Sequence, residues 1–131
     1  MKKIFVCSPY RGEKEKNTKN AAFAARIICG CGNMPIVPHL YFTQFLEEDD
    51  PVDRIRGIKL GIELMKSCEL IWLIGTKISK GMEYELKTAK EMQIPVKLYD
   101  DKLRQIDPKT LDIDDRVDDF YRNAIEGLKL E

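Results

Sequence analysis

Short apolar runs alternate with stretches of helical spacing along most of the chain, and this alternation limits the fold more than any single motif does. Lys3–Cys7, Glu69–Ile74 and Pro95–Tyr99 are rich in β-branched and aromatic residues, as strands covered on both faces are. Pro35–Pro38 is a fourth, shorter strand whose two prolines imply an edge position or abrupt ends. The spacing predicts a first helix over Thr18–Cys31, with Ala21, Ala22, Ala25 and Ile28 on one face and Gly30 with Gly32 as a stop. Pro51 opens a second helix reaching Ser67, with Ile55, Ile58, Ile62 and Met65 turned inward. A third runs from about Gly81 to Gln93. Ser8–Asn17, His39–Asp50 and Gly75–Lys80 read as loops, the second carrying Tyr41, Phe42 and Phe45. After Asp100 the pattern weakens, and Val117, Phe120, Tyr121, Ala124 and Leu128 predict one closing helix.

Strand–helix alternation implies a parallel sheet with right-handed crossovers. The expected fold is therefore α/β: a flavodoxin-like or Rossmann-like parallel sheet of four or five strands with helices on both faces. Such sheets bind ligands beyond the carboxyl ends of their strands, where the strand order reverses. Ser8–Gly12, His39–Phe42 and Thr76–Glu85 fall there. The 131 residues suit one domain spanning 1–131. Lys plus Arg and Asp plus Glu each number 22, so neither a nucleic-acid polymer nor an anionic membrane is an expected partner. No apolar run approaches the roughly 20 residues of a membrane span. The start is too poor in apolar sequence for a signal peptide, so a soluble, cytoplasmic protein is expected.

Four cysteines, Cys7, Cys29, Cys31 and Cys68, are too sparse for a disulfide scaffold. Cys29-Gly30-Cys31 lacks the two-residue spacer of a zinc knuckle, and the sole histidine, His39, has no second ligand nearby. The expectation is reduced thiols, with Cys7, Cys29 and Cys68 buried, and no metal.

Two segments can carry chemistry. Cys7-Ser8-Pro9-Tyr10-Arg11-Gly12 follows the first strand and can offer backbone N–H groups and a guanidinium to a phosphate or carboxylate. It has neither the three glycines of a dinucleotide fingerprint nor the Gly-Lys-Ser/Thr of a Walker loop, and it also reads as an ordinary turn with a solvated arginine. Ser79-Lys80-Gly81-Met82-Glu83-Tyr84-Glu85 opens the third helix, where Met82, Leu86 and Ala89 form the inward stripe. Glu85 lies beside that stripe, whereas Glu83 and Lys87 face solvent. The positive end of the helix dipole favours the ionised form of a carboxylate one turn into the helix, as a nucleophile requires, although such a residue can also be a stabilising N-terminal acid. His39 and Tyr41 follow the second strand, where they either cap the core or meet a ligand.

Taken together, the two segments resemble the nucleoside 2-deoxyribosyltransferase-like superfamily. The resemblance is closest to its branch that hydrolyses the N-glycosidic bond of deoxynucleoside 5′-monophosphates, and to short phage and bacterial relatives with a Ser-Pro-Tyr-Arg-Gly start. It rests on Cys7, Arg11 and Gly12 in the first loop and on Ser79, Gly81, Tyr84 and Glu85 in the second, and it covers Lys3–Tyr99. It implies that Glu85 is the nucleophile and that Arg11, Gly12, Ser79 and Gly81 hold a 5′-phosphate; Ser8, Pro9, His39 and Tyr41, on loops at the same crevice, are expected to border the substrate. The implied substrate is a small nucleoside or nucleotide. No cofactor is implied, since a carboxylate performs the difficult step, and relatives pair as homodimers through the second and third helices. Two positions depart from the pattern. Phe5 stands where many transferases have a tyrosine on the first strand, leaving Tyr10 as its substitute, and Gly61 stands where the family has an aspartate. Glu63 and Asp53 are candidate replacements for that aspartate. A non-catalytic nucleotide-binding or sensing module on the same fold, and an interaction domain using the aromatic loop, remain rival expectations.

Overall fold

The computed structural model describes all of residues 1–131. Its elements are β1 (Lys3–Cys7), α1 (Lys14–Gly30), β2 (Met34–Ile36), α2 (Pro38–Tyr41), α3 (Pro51–Met65), β3 (Leu70–Ile74), α4 (Lys80–Met92), β4 (Pro95–Tyr99), β5 (Gln105–Ile106), α5 (Asp119–Ile125) and β6 (Lys129–Leu130). The strand order is β2-β1-β3-β4-β5, with β6 also on β4. The β1–β2, β1–β3, β3–β4 and β4–β6 pairs are parallel, and only β4–β5 is antiparallel. This is the expected α/β class. The six-strand count corrects the expected four or five, because β5 and β6 are two residues each and too short to leave a period in the sequence.

Strand period two sorts the core into two layers. Ile4 and Val6 of β1, with Leu70, Trp72 and Ile74 of β3, pack against Ala24 and Ile28 of α1. Phe5, Cys7, Ile71, Leu73, Val96 and Leu98 face the opposite way, onto Met65, Met82, Leu86, Ala89 and Tyr121. Cys7 thereby shares its layer with α4, and this is what brings the first loop and Glu85 together.

Several boundaries differ from the sequence reading. Helix α1 starts at Lys14 because the charged Lys14–Asn17 stretch forms its first exposed turns, and its buried residues are Ala21, Ala24 and Ile28. That face leaves Ala22 exposed and turns Cys29 to solvent, correcting the expected burial of that thiol. The second strand is an edge strand, as its prolines imply, but the residues after it form a short helix, Pro38–Tyr41, and a 3-10 turn over Phe42–Gln44. On α3 the inward positions are Gly61 and Met65, and Ile55 is 54% exposed. Asp50 caps α3 by accepting from Val52 N–H, with Pro51 at the first helical position. Phe120 of the closing helix is likewise exposed, while Val117, Tyr121, Ile125 and Leu128 are buried.

Asp100, at the end of β4, ties the tail to the sheet. Its buried carboxylate accepts from Lys102 and Arg104 N–H, from Arg104 Nε at 2.8 Å and from Arg116 Nη1 at 3.2 Å. Burial pushes its pKa up, but the hydrogen bonds from Arg104, Lys102 and Arg116 outweigh this and hold it below the ordinary value. Its contribution is thus complete above the usual aspartate pKa of about 3.9 and is lost as pH falls below that. Asp100→Ala removes the buried acceptor of Lys102 and Arg104 N–H and unties Arg104 and Arg116 from β4, although Arg116 keeps Asp114, and should cost about 2 kcal/mol at pH 7. The loss, measured by urea unfolding, should shrink steadily toward pH 3.

Candidate active site

The chain crosses from β1 to β2 on one side and then from β2 back past β1 to β3 on the other, so the strand order reverses at β1 and the loops after β1, β2 and β3 surround one crevice. Ser79 caps α4, its hydroxyl accepting from Met82 N–H at 3.3 Å, and the helix N-terminus opens onto the crevice. One turn later Glu85 turns inward. It is 8% exposed, buried on the same side as Met82 and Leu86, whereas Glu83 and Lys87 are exposed as their spacing requires.

The polar neighbour of the Glu85 carboxylate is Cys7, whose thiol donates to Oε1 at 3.3 Å. Gly61 of α3 closes the other side: a Cβ there would lie 3.5 Å from Glu85 Oε2 and 3.9 Å from Pro38. Burial raises the Glu85 pKa from 4.5 to about 7, and the Cys7 hydrogen bond opposes the rise only in part. Burial thus works against the ionised form that the helix dipole was expected to favour. Burial, followed by the Glu85 carboxylate, holds the Cys7 thiol well above its ordinary pKa, so it is a neutral donor.

A cavity of about 140 Å³ lies over Glu85. Tyr10, Arg11, His39, Phe42, Ser79 and Gly81 line it, together with residues the sequence reading did not place there: Leu46, Glu48, Arg54 and Ile58. Tyr10 and His39 face each other with ring centroids 5.3 Å apart. Burial lowers the His39 pKa to about 4 against the opposing charge of Glu48, so the ring is neutral at pH 7. A second, polar crevice of about 520 Å³ adjoins the first through Arg11 and Ser79, and is lined by Ser8, Pro9, Gly12, Asn17, Lys77 and others. Ser8 is buried there with its hydroxyl unpaired.

Not every expected residue converges. Tyr41 is 63% exposed and stacks with Phe42 and Phe45, lining neither space. Tyr10 borders the cavity but makes no hydrogen bond to Glu85; Cys7 does. Of the two candidate replacements for the family aspartate, Glu63 is exposed and paired with Lys66, whereas Asp53 lines the cavity while accepting from Glu47 N–H. Arg11 is already engaged, its Nε 2.6 Å from Glu48 Oε1. Arg54 has no ion-pair partner. Glu48 and Arg54 escape a sequence reading because they sit in an acidic run and on a mixed helix face that look merely solvated. No three His, Cys, Asp or Glu side chains are grouped as metal ligands, and no helix is long and apolar enough to cross a membrane.

The mostly parallel sheet flanked by helices matches a nucleoside deoxyribosyltransferase-like fold. The chain belongs to the family described as a domain of unknown function (DUF7768), which matches residues 2–99. It is similar in structure to a 2-deoxyribosyltransferase from the psychrotolerant bacterium Bacillus psychrosaccharolyticus, with 20% identity, a TM-score of 0.63, and coverage of 95% of this chain and 90% of that one. It is also similar to a conserved protein from Enterococcus faecalis V583, with 14% identity, a TM-score of 0.62, and coverage of 99% and 89%. At these identities the likeness establishes the fold. No curated protein matches the sequence.

The raised pKa has a thermodynamic consequence. Glu85 ionises at about 4.5 in the unfolded chain and about 7 in the fold, so stability is lost as pH rises between those values and stays reduced above them. Glu85→Gln keeps the shape and removes the penalty. The variant should exceed the parent by about 2–3 kcal/mol at pH 8, and urea midpoints should converge near pH 4.5.

Proposed function

We propose that this protein cleaves, or transfers across, the N-glycosidic bond of (deoxy)nucleoside 5′-monophosphates, with Glu85 as nucleophile. The observation that carries the reading is the inward Glu85 carboxylate, buried at the floor of a cavity and opposed by a single weak donor, the Cys7 thiol. A carboxylate so little hydrogen-bonded keeps an oxygen lone pair for an anomeric carbon. The cavity is close in size to the roughly 150 Å³ that admits a benzene ring, which suits a planar base with the sugar toward Glu85. The 5′-phosphate then extends toward the adjoining polar crevice, past Arg11, Ser79 and the N-terminus of α4.

In the first step a Glu85 oxygen bonds to C1′ as the C1′–N bond breaks, its electron pair leaving with the base, which takes up a proton from water. The product is a glycosyl ester of Glu85. Water, or a second base, then bonds to C1′ and restores the carboxylate, with the surplus proton passing to solvent. Tyr10, His39 and Phe42 supply the aromatic walls, and Ser8, Pro9 and Gly12 shape the phosphate side. Gly61 favours a second reading: without an acid at that position base departure is unassisted, as in a module that binds a nucleotide without turning it over.

Glu85→Gln should abolish release of free base, by about a thousandfold or more, or ~4 kcal/mol of transition-state stabilisation, while nucleotide binding persists. Glu83→Gln, on the exposed side of the turn, should release base at the parent rate. The parent rate should climb as pH rises through about 7, as Glu85 ionises. Chromatography of incubations with the four deoxynucleoside 5′-monophosphates reads all three. Tight binding with no base released by any protein at any pH refutes the enzyme and leaves the binding module.

The same proposal includes a homodimer. Tyr41, Phe45, Val52 and Ile55 are large exposed apolar residues flanking the 3-10 turn and at the start of α3, beside the cavity wall, where a second copy would cover them. Light scattering at micromolar concentration should give twice the chain mass, and a V52D/I55D variant should give the chain mass. A monomeric parent removes the dimer from the proposal.

A further inference from the structure

The Arg11 side chain does not wait empty for a ligand. Its Nε lies 2.6 Å from Glu48 Oε1 and its Nη2 3.8 Å from Asp49, while Lys14 Nζ lies 3.2 Å from Glu48 Oε2. Both oxygens of one carboxylate thus lie at ion-pair distance from two cations, where a phosphate would sit between the same groups, and neither oxygen completes a hydrogen bond. The Glu48 side chain is only 15% exposed, although it sits in the irregular Glu47–Asp50 run with exposed neighbours on either side, and it lines the cavity that holds Glu85. An exposed acidic run has no need to bury one of its carboxylates. The pair of cations on the β1 loop and α1 accounts for this one.

We propose that Glu48 is the residue that sets discrimination between phosphorylated and unphosphorylated ligands, acting as a built-in competitor for the anion site of Arg11 and Lys14. This rests on the reading of the crevice as a nucleotide site. A ligand phosphate gains the two cations only by exchanging with the Glu48 carboxylate, which returns to water with its loop. A nucleoside leaves the Arg11–Glu48–Lys14 cluster in place. The anchor of the loop lies at its edges: Glu47 N–H donates to Asp53 at 2.9 Å, and Leu46 packs near Gly57, so Glu48 can leave without unfolding α3.

Glu48→Gln keeps the shape and volume of the side chain and removes the competing charge. The test titrates the four deoxynucleoside 5′-monophosphates and the four matching deoxynucleosides by calorimetry into the parent, E48Q, R11A and the R11A/E48Q double variant, at one fixed salt concentration. For any pair that binds, the nucleotide-to-nucleoside affinity ratio should rise about tenfold in E48Q, and R11A should erase most of that gain. An unchanged ratio overturns the proposal. A lower ratio also overturns it, since Glu48 then aims Arg11 at the phosphate rather than competing for it. A gain that survives intact in the double variant, or binding of none of the eight compounds to any of the proteins, overturns it as well. Base release is read separately: a ratio that moves in a protein freeing no base keeps the competitor and refutes the glycosidase.

Discussion

Glu85 is held between two layers that were each built for apolar contact. The β1 and β3 residues facing α4 are Phe5, Cys7, Ile71 and Leu73, and the helix answers with Met82, Leu86 and Ala89. An ionised carboxylate in that setting costs several kcal/mol unless well paired, and a neutral thiol is poor compensation. The compromise is a pKa raised by burial to about 7, at which the charge comes and goes around neutrality. Local choices follow from it. Gly61 keeps α3 from pressing a side chain onto Oε2, Cys7 supplies a small donor without a competing charge, and the Ser79 cap fixes where α4 begins and therefore where Glu85 points. The remainder of the core, including the Asp100 cluster that fastens the tail, supplies the stability that this one residue withdraws.

The features with a strict period were legible before any coordinates. Strands β1 and β4 begin and end where the apolar runs do, and the Met82–Leu86–Ala89 stripe places Glu85 inward and Glu83 outward. Features set by tertiary partners were not. The exposure of Ile55 depends on Gly61 and Met65 being the residues that meet the sheet side, and hydropathy alone ranks a glycine below an isoleucine. Tyr41 and Phe42 are adjacent and equally aromatic, yet the short helix from Pro38 turns only Phe42 into the cavity. Cys7 was legible as a buried strand residue but not as the partner of Glu85, because 78 residues separate them and only the sheet order joins them.

The charge pattern around the crevice is also a product of folding. Zero net charge conceals a divided arrangement: a cluster of Arg11, Lys14 and Glu48 on one wall, and Arg54 without a partner lining the same cavity. His39 stands between as a neutral ring, held so by burial. Such a site offers hydrogen-bonding and aromatic surface, with Arg11 and Lys14 matched by Glu48 and Arg54 left unpaired.

These two constraints act on each other. A phosphate within reach of Glu85 raises the carboxylate's pKa further, since like charges disfavour each other's ionisation, and a nucleophile already poised near 7 would then be mostly protonated at neutral pH. On the glycosidase reading the phosphate must therefore be neutralised where it binds, by groups that do not themselves pair with Glu85. Arg11 and Lys14 meet that condition, because their salt bridges run to Glu48 and Glu85 keeps only its thiol. Exchanging the Glu48 carboxylate for a phosphate of roughly two negative charges on those cations adds about one charge beside Glu85, where bare cations would see about two added, so the rise in the Glu85 pKa on binding is limited. A site with bare cations would hold the phosphate more tightly, but it would also change the charge beside the nucleophile by more at each binding event.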